Sequence, residues 1–240
     1  MTEAEWLACT DPTPMLHFLR ATKASDRKLR LFAVACCRGI WPLLTDDRSR
    51  RAVEVAEAYA DGLARLPALR DAYQAAWAAA KEAIASRDAD AGQDLYGMHD
   101  DGLAAPAACA AAYAASPDAQ QVDSAGYYAR HAQLQAASPL PVAERTRRDA
   151  EQAALLRDLF GPLPFRDVAV GPSLLTWKDG TLPKLAQAIY DDRQFGDMPV
   201  FADGLEEAGC DSPDIVRHCR EQGGVHTLGC WVLDLLLQKA

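Results

Sequence analysis

The residues best suited to chemistry lie near the C-terminal end of this chain. Three of the seven cysteines and two of the five histidines fall within one short stretch, as Cys210, His218, Cys219, His226 and Cys230. Thiolate and imidazole are the ligands that zinc and other borderline-soft metals prefer. Four of these five side chains could therefore form a zinc site. The stretch has no Cys-x-x-Cys pair, the spacing typical of zinc knuckles, so the sequence leaves other interpretations open.

A second interpretation places the same residues in the hydrophobic core. Free cysteine behaves as a small apolar side chain and is among the most buried residue types. Cys230 is followed directly by Trp-Val-Leu, which is typical of a core helix. His226 would then be a helix cap or a hydrogen-bonded core histidine. If the last helix begins near His226, then His226, Cys230 and Asp234 lie along one of its faces.

The adjacent residues Cys36 and Cys37 present a similar choice. On a helix their side chains point about 100° apart, so they cannot face one partner and seldom form a disulfide with each other. Cys36 shares an apolar stripe with Phe32 and Ala33, which favours packing. A thiol-based redox sensor is the alternative, and it requires a cysteine with a lowered pKa, for example beside Arg38.

Motifs of the common enzyme classes are missing. The sequence contains no Gly-x-Ser-x-Gly elbow, no phosphate-binding loop, no Gly-x-Gly-x-x-Gly and no kinase or zincin signature. We therefore predict no catalytic residue, and the pattern favours a non-enzymatic protein.

Composition narrows the range of partners. The formal net charge is −9, and the short basic groups at 48–51 and 145–148 lie among acidic residues, so a nucleic-acid partner is disfavoured. No apolar run approaches the roughly 18 residues that would cross a bilayer, and no secretory leader is visible. The cysteines are odd in number and irregularly spaced, which is typical of free thiols in a reducing compartment. We expect a cytoplasmic protein whose partner is another protein.

The elements that position the tail residues are predicted to be helices. Alanine-rich runs favour helix, caps and prolines recur at plausible helix starts, and nothing resembles a βαβ unit. We predict an all-α, irregular multi-helix array of about eight to ten helices. Its C-terminal helices are expected near 142–160, 181–192, 197–208, 212–221 and 227–238.

Two further features of the array follow from residue types. The segment 87–141 holds alanine-rich helices near 103–115 and 122–137, and because alanine buries little area we expect this middle to be weakly packed. Gly161-Pro162 ends a helix. We therefore predict an N-terminal bundle over 1–160 and a C-terminal helical subdomain over 161–240, which could also form one continuous domain.

Both ends of the chain resemble a known family. The segments that carry the resemblance are Met1–Leu7, Pro14–Leu19, Ser25–Arg38, Leu185–Tyr190, Phe201–Cys210, His218–Arg220 and Gly229–Leu237. They are similar to a large paralogous family of uncharacterised bacterial proteins, typical of planctomycetes, whose C-terminal segment also occurs beside repeat-companion modules. The resemblance covers about half of the chain and implies a helical cytoplasmic protein, but no activity. The family pattern has an arginine before Gly-Cys-Trp, where this chain has Thr227-Leu228.

The sequence thus supports two main hypotheses for function. The first is a non-enzymatic cytoplasmic helical scaffold or protein-interaction module, without a cofactor. The second is a zinc-binding protein whose site lies in the C-terminal helices. The two differ in whether the sulfur atoms of the tail converge with its histidines or scatter into separate apolar pockets.

Overall fold

A computed structural model of the protein describes residues 1–90, 106–136, 142–221 and 224–239. Within these ranges the chain forms twelve α-helices and no strand, so the predicted all-α array is confirmed. The helices are α1 Glu3–Ala8, α2 Pro12–Ala21, α3 Asp26–Arg38, α4 Asp47–Ala60, α5 Leu66–Asp90, α6 Pro106–Ala114, α7 Ser124–Ala136, α8 Val142–Phe160, α9 Pro172–Asp192, α10 Met198–Glu207, α11 Pro213–Arg220 and α12 Trp231–Leu237. None of these helices combines the length and apolar character that a membrane span needs.

The helix starts follow from local chemistry. A capping box begins α1, since the side chain of Thr2 accepts the backbone N–H of Glu5 and the side chain of Glu5 accepts the backbone N–H of Thr2. Asp46 caps α4 by accepting a hydrogen bond from the backbone N–H of Arg48. Ser25 occupies the N-cap position of α3, but its side chain makes no capping hydrogen bond.

Contacts divide the chain into two compact units. We call Thr10–Gln152 the central unit, and Met1–Cys9 with Ala153–Ala240 the terminal unit. The division falls inside α8, and the first nine residues belong with the C-terminal part. The sequence instead predicts a boundary at 160/161, with these nine residues in the N-terminal bundle.

The central unit is built around an alanine-rich helix. Seven of the nine residues of α6 are buried, and the helix packs against α3, α4, α5 and α7. The predicted weak packing is therefore wrong for this described part of 87–141. Small side chains bury little area each, but they allow neighbouring helices to approach closely on every side. Residues 91–105 and 137–141 lie outside the described residues.

The core of the terminal unit is aromatic and aliphatic. Trp6 of α1 is fully buried and meets Phe165 edge to face, with ring centroids 5.9 Å apart. Tyr190, Phe201 and Trp231 are also buried. This contact between Trp6 and Phe165 explains why α1 belongs with residues that follow it by more than 150 positions.

Two helices of the terminal unit have irregular starts. In α9, residues 177–180 leave helical geometry, and Lys178, Asp179 and Gly180 all have positive φ, so the regular helix after them matches the predicted 181–192. The last helix, α12, begins at Trp231 and not near 227. Gly229 has a φ of 85° and Cys230 donates its N–H to the carbonyl of Thr227, so a turn occupies the predicted first helical residues.

Candidate metal centre

Asp158 lies in the last turn of α8 and is almost completely buried. A carboxylate at this position meets the negative end of the helix dipole, and burial removes it from water. Both effects are unfavourable, so the side chain needs strong partners. Its Oδ2 accepts the backbone N–H of Thr227 at 2.9 Å, and its Oδ1 faces two imidazoles.

The first imidazole belongs to His218, which α11 presents to the interior. Its Nε2 lies 3.2 Å from Oδ1 of Asp158 and 3.2 Å from Sγ of Cys230. A single ring nitrogen therefore faces an oxygen and a sulfur at the same distance. One N–H cannot point well at both atoms, whereas a metal ion between the three could bind all of them.

His226 supplies the second imidazole, from the loop before α12. Its Nδ1 lies 2.9 Å from Oδ1 of Asp158. Since α12 begins only at Trp231, the expected helical face of His226, Cys230 and Asp234 does not form. The turn at 227–230 brings His226 and Cys230 to the site instead, and Cys230 takes the N-cap position of α12.

Together the four side chains form a compact cage of ligand atoms. One ligand atom from each of Asp158, His218, His226 and Cys230 lies within 4.8 Å of all the others. Zinc–ligand bonds of about 2.0–2.3 Å place the atoms of a tetrahedral site about 3.3–3.6 Å apart. The contacts of 2.9–3.2 Å at Asp158 and His218 are slightly shorter than this. The remaining pairs of ligand atoms lie within 4.8 Å of each other. The four atoms are therefore close enough to surround one zinc ion once the side chains adjust.

Electrostatics at the cage follow from burial and pairing. Burial pushes the pKa of Asp158 upward, but hydrogen bonds from His218 and His226 outweigh it and hold the pKa below its ordinary value. Burial, followed by the negative charge of Asp158, raises the pKa of the Cys230 thiol well above its ordinary value. Without a metal ion, Cys230 is therefore a neutral thiol beside an ionised carboxylate.

A second layer of residues surrounds the cage. The rings of His218 and His226 are nearly perpendicular, with centroids 4.9 Å apart. The indole of Trp231 lies 5.3 Å from the His218 ring, centroid to centroid, and is itself buried. These contacts restrict the orientation of both imidazoles.

The structure brings together three of the five predicted ligands. His218, His226 and Cys230 converge, whereas Cys210 and Cys219 are not members of the cage. Cys219 is the neighbour of His218 on α11, so its side chain points about 100° away. Cys210 follows α10 and is partly exposed. The three converging residues are those that the last turn of α11 and the 227–230 turn direct toward α8.

Asp158 is the member that the sequence analysis missed. It precedes His218 by 60 residues, and no local spacing connects them. One signal was available, because Asp158 lies between the buried residues Leu156 and Leu159 at the apolar end of a charged helix. An acidic residue in that position indicates a buried partner.

The four buried cysteines outside the cage do not resemble reactive thiols. Burial raises the pKa of Cys37 and of Cys219 to about 12, and it also raises the pKa of Cys36 and Cys109. A neutral, buried thiol is a poor nucleophile. These positions fit the packing interpretation and give no support to a redox sensor at Cys36-Cys37.

Comparisons of the chain with protein-family models, with curated proteins and with solved structures found no match. The resemblance of the two ends to a planctomycete-type family therefore stays a prediction.

Proposed function

We propose that the terminal unit is a zinc-binding helical module, in which one ion joins α8, α11 and the start of α12. The observation that carries this proposal is the cage of Asp158, His218, His226 and Cys230, with ligand atoms within 4.8 Å of one another. Carboxylate, imidazole and thiolate are all zinc ligands, and four of them complete a tetrahedron.

The donor set favours zinc over other common ions. Magnesium and calcium require oxygen ligands throughout, whereas this cage has two imidazoles and one thiol. A divalent ion would also balance the buried charge, because its two positive charges equal the two negative charges of one carboxylate and one thiolate. Burial of a charge is costly unless it is compensated, and this arrangement leaves no net charge behind.

A structural role follows from the number of ligands. Catalytic zinc sites keep one position for water or substrate, while sites with four protein ligands are closed. Here the ligands come from three separate elements, which are α8, α11 and the loop that leads into α12. The ion would therefore stabilise the fold of the terminal unit, in agreement with a non-enzymatic helical module.

Binding would exchange protons for metal. Because its pKa is raised, Cys230 is a thiol in the metal-free protein, and zinc must displace its proton. Zinc affinity is therefore expected to increase with pH. A cage that is only a hydrogen-bonded core cluster shows no such dependence because it takes up no ion.

The proposal is tested by elemental analysis of protein purified without a metal-binding tag. We expect about one zinc per chain after dialysis, and a large decrease in melting temperature on addition of a strong chelator. The variant Cys230→Ser should lose the zinc, while Cys210→Ser, which alters a cysteine outside the cage, should keep it. Metal-free wild-type protein whose melting temperature is unaffected by added zinc would contradict the proposal.

A further inference from the structure

The indole of Trp231 is seated directly on Gly161, just beyond the end of α8. A Cβ atom at Gly161 would lie 2.7 Å from three atoms of the indole ring, closer than side-chain carbons approach one another. Gly161 also has a φ of 52°, which disfavours residues with a side chain. The ring can therefore occupy this position only because residue 161 is glycine.

This contact connects the elements that supply the ligands. Gly161 follows Asp158 by three residues and closes the end of α8, donating its N–H to the carbonyl of Arg157 at 2.8 Å. Trp231 directly follows Cys230, and its ring also lies 5.3 Å from the ring of His218. A displacement of the indole would thus be transmitted to the sulfur and to one imidazole.

The turn before α12 is attached to α8 at two points. At one point, the N–H of Thr227 donates to Oδ2 of Asp158 at 2.9 Å. At the other, Trp231 lies on Gly161. Two attachments fix both the distance and the angle between two segments, whereas a single hydrogen bond leaves a rotation free.

We propose that Gly161 and Trp231 are the positioning pair of the metal centre. The seated indole sets the separation between the carboxylate of Asp158 and the sulfur of Cys230, and it holds the ring of His218 toward both. This inference rests on the proposed zinc function. Residues that orient ligands without touching the metal typically contribute 10–100-fold to metal affinity.

The test compares two glycines that both have a positive φ. Gly161→Ala introduces a methyl group against the indole, while Gly209→Ala introduces one where no heavy atom lies within 4 Å. Gly209 has a φ of 84° and belongs to the same unit, so both variants carry the penalty for a left-handed alanine. Only Gly161→Ala should disturb the cage.

Two measurements on the full chain distinguish positioning from general destabilisation. Zinc affinity is measured by competition with a chromophoric chelator, and the visible spectrum is measured after cobalt is bound in place of zinc. We expect Gly161→Ala to bind zinc about 10–100-fold more weakly than wild type and to alter the cobalt spectrum. Gly209→Ala should match wild type in both, although its melting temperature falls.

A second variant covers the case in which Gly161→Ala does not fold. Trp231→Phe keeps an aromatic ring in the core, but the smaller ring has less contact with Gly161 and His218. This variant should bind zinc about tenfold more weakly than wild type and change the cobalt spectrum. Equal affinity and spectrum for the folded variants and wild type would overturn the positioning pair and leave the zinc function intact. A wild-type protein that binds neither ion would overturn both.

Discussion

The two compact units differ in the charge that each one buries. The central unit encloses the basic residues Lys28 and Arg30, whereas the terminal unit encloses the acidic residues Asp158 and Asp234. Arg30 donates to the carbonyls of Ala114, the last residue of α6, and of Ser116, just after the helix, at 3.0 and 2.8 Å. A buried cation is thus satisfied by backbone at a helix C-terminus, where the dipole also favours it.

The buried acid is satisfied in a different manner. Within the described part of the chain, Asp158 accepts one backbone N–H, and its other partners are imidazole side chains of a type that can bind a metal. A buried charge can therefore satisfy the free carbonyls at a helix end, as Arg30 does. It can also form part of an ion site, as we propose for Asp158. The chemistry of its partners separates the two cases. The predictions below follow from that difference.

The largest effect is expected from Asp158→Ala. Removal of the carboxylate leaves His218, His226 and the N–H of Thr227 without their common acceptor, and breaking a buried pair in this way costs about 3–5 kcal/mol. Urea unfolding measures the loss. Asp203→Ala, which removes an exposed partner of Arg220 in the same unit, should cost about 1 kcal/mol or less. Similar losses for the two variants would contradict the account of the cage.

A smaller effect is expected from Arg30→Met in the central unit. Methionine fills the volume of the arginine stem but leaves the carbonyls of Ala114 and Ser116 without a donor, at a cost of about 1–3 kcal/mol. Both hydrogen bonds go to backbone carbonyls, and the guanidinium also lies over the ring of Tyr59, which is not a cage residue. The loss should therefore be the same with and without a chelator. A chelator-dependent loss would show that the two units do not differ in the proposed way.

The sequence predicted the helices of both units well because helix formation is local. The alanine-rich α6, the cap at Asp46 and the end of α8 before Gly161 all follow from residue types within a few positions. Packing of α6 was judged wrongly because area per residue was considered without the close approach that alanine allows.

Contacts between distant segments could not be predicted from the sequence pattern. Nothing near Trp6 indicates Phe165, and nothing near His218 indicates Asp158. The start of α12 was also missed, since the turn at 227–230 depends on the left-handed Gly229 and on a carboxylate from α8 that accepts the N–H of Thr227. Three of the five predicted ligands, His218, His226 and Cys230, lie together in the structure, and the fourth member of the cage, Asp158, comes from a distant part of the chain.

The pH dependence of stability offers a finer comparison. In metal-free protein the pKa of Asp158 is below its ordinary value, so the unfolded chain takes up the proton first as pH falls. Its contribution is complete above about pH 5 and is lost as pH decreases through about 3.9 toward the folded pKa. Unfolding free energies from pH 5 to 3 should therefore fall more steeply for wild type than for Asp158→Asn. Parallel curves would contradict this.

The smallest effect concerns the thiols and leaves stability unchanged. Cys9 and Cys210 are partly exposed, while the other five cysteines are buried. Alkylation of native protein at neutral pH, followed by mass spectrometry, should label Cys9 and Cys210 first. Burial holds the thiols of Cys36 and Cys37 in the neutral form, so both should be labelled slowly. Rapid labelling of either residue would support the redox-sensor alternative.

The identity of the ligands is tested most directly by X-ray absorption at the zinc edge of the holoprotein. The cage predicts one sulfur at about 2.3 Å and three nitrogen or oxygen neighbours at about 2.0–2.2 Å. Asp158→Ala and Cys230→Ser should change this first shell, and Cys219→Ser should not. A shell with two or more sulfur atoms, or with oxygen alone, would show that the ion is not held by Asp158, His218, His226 and Cys230.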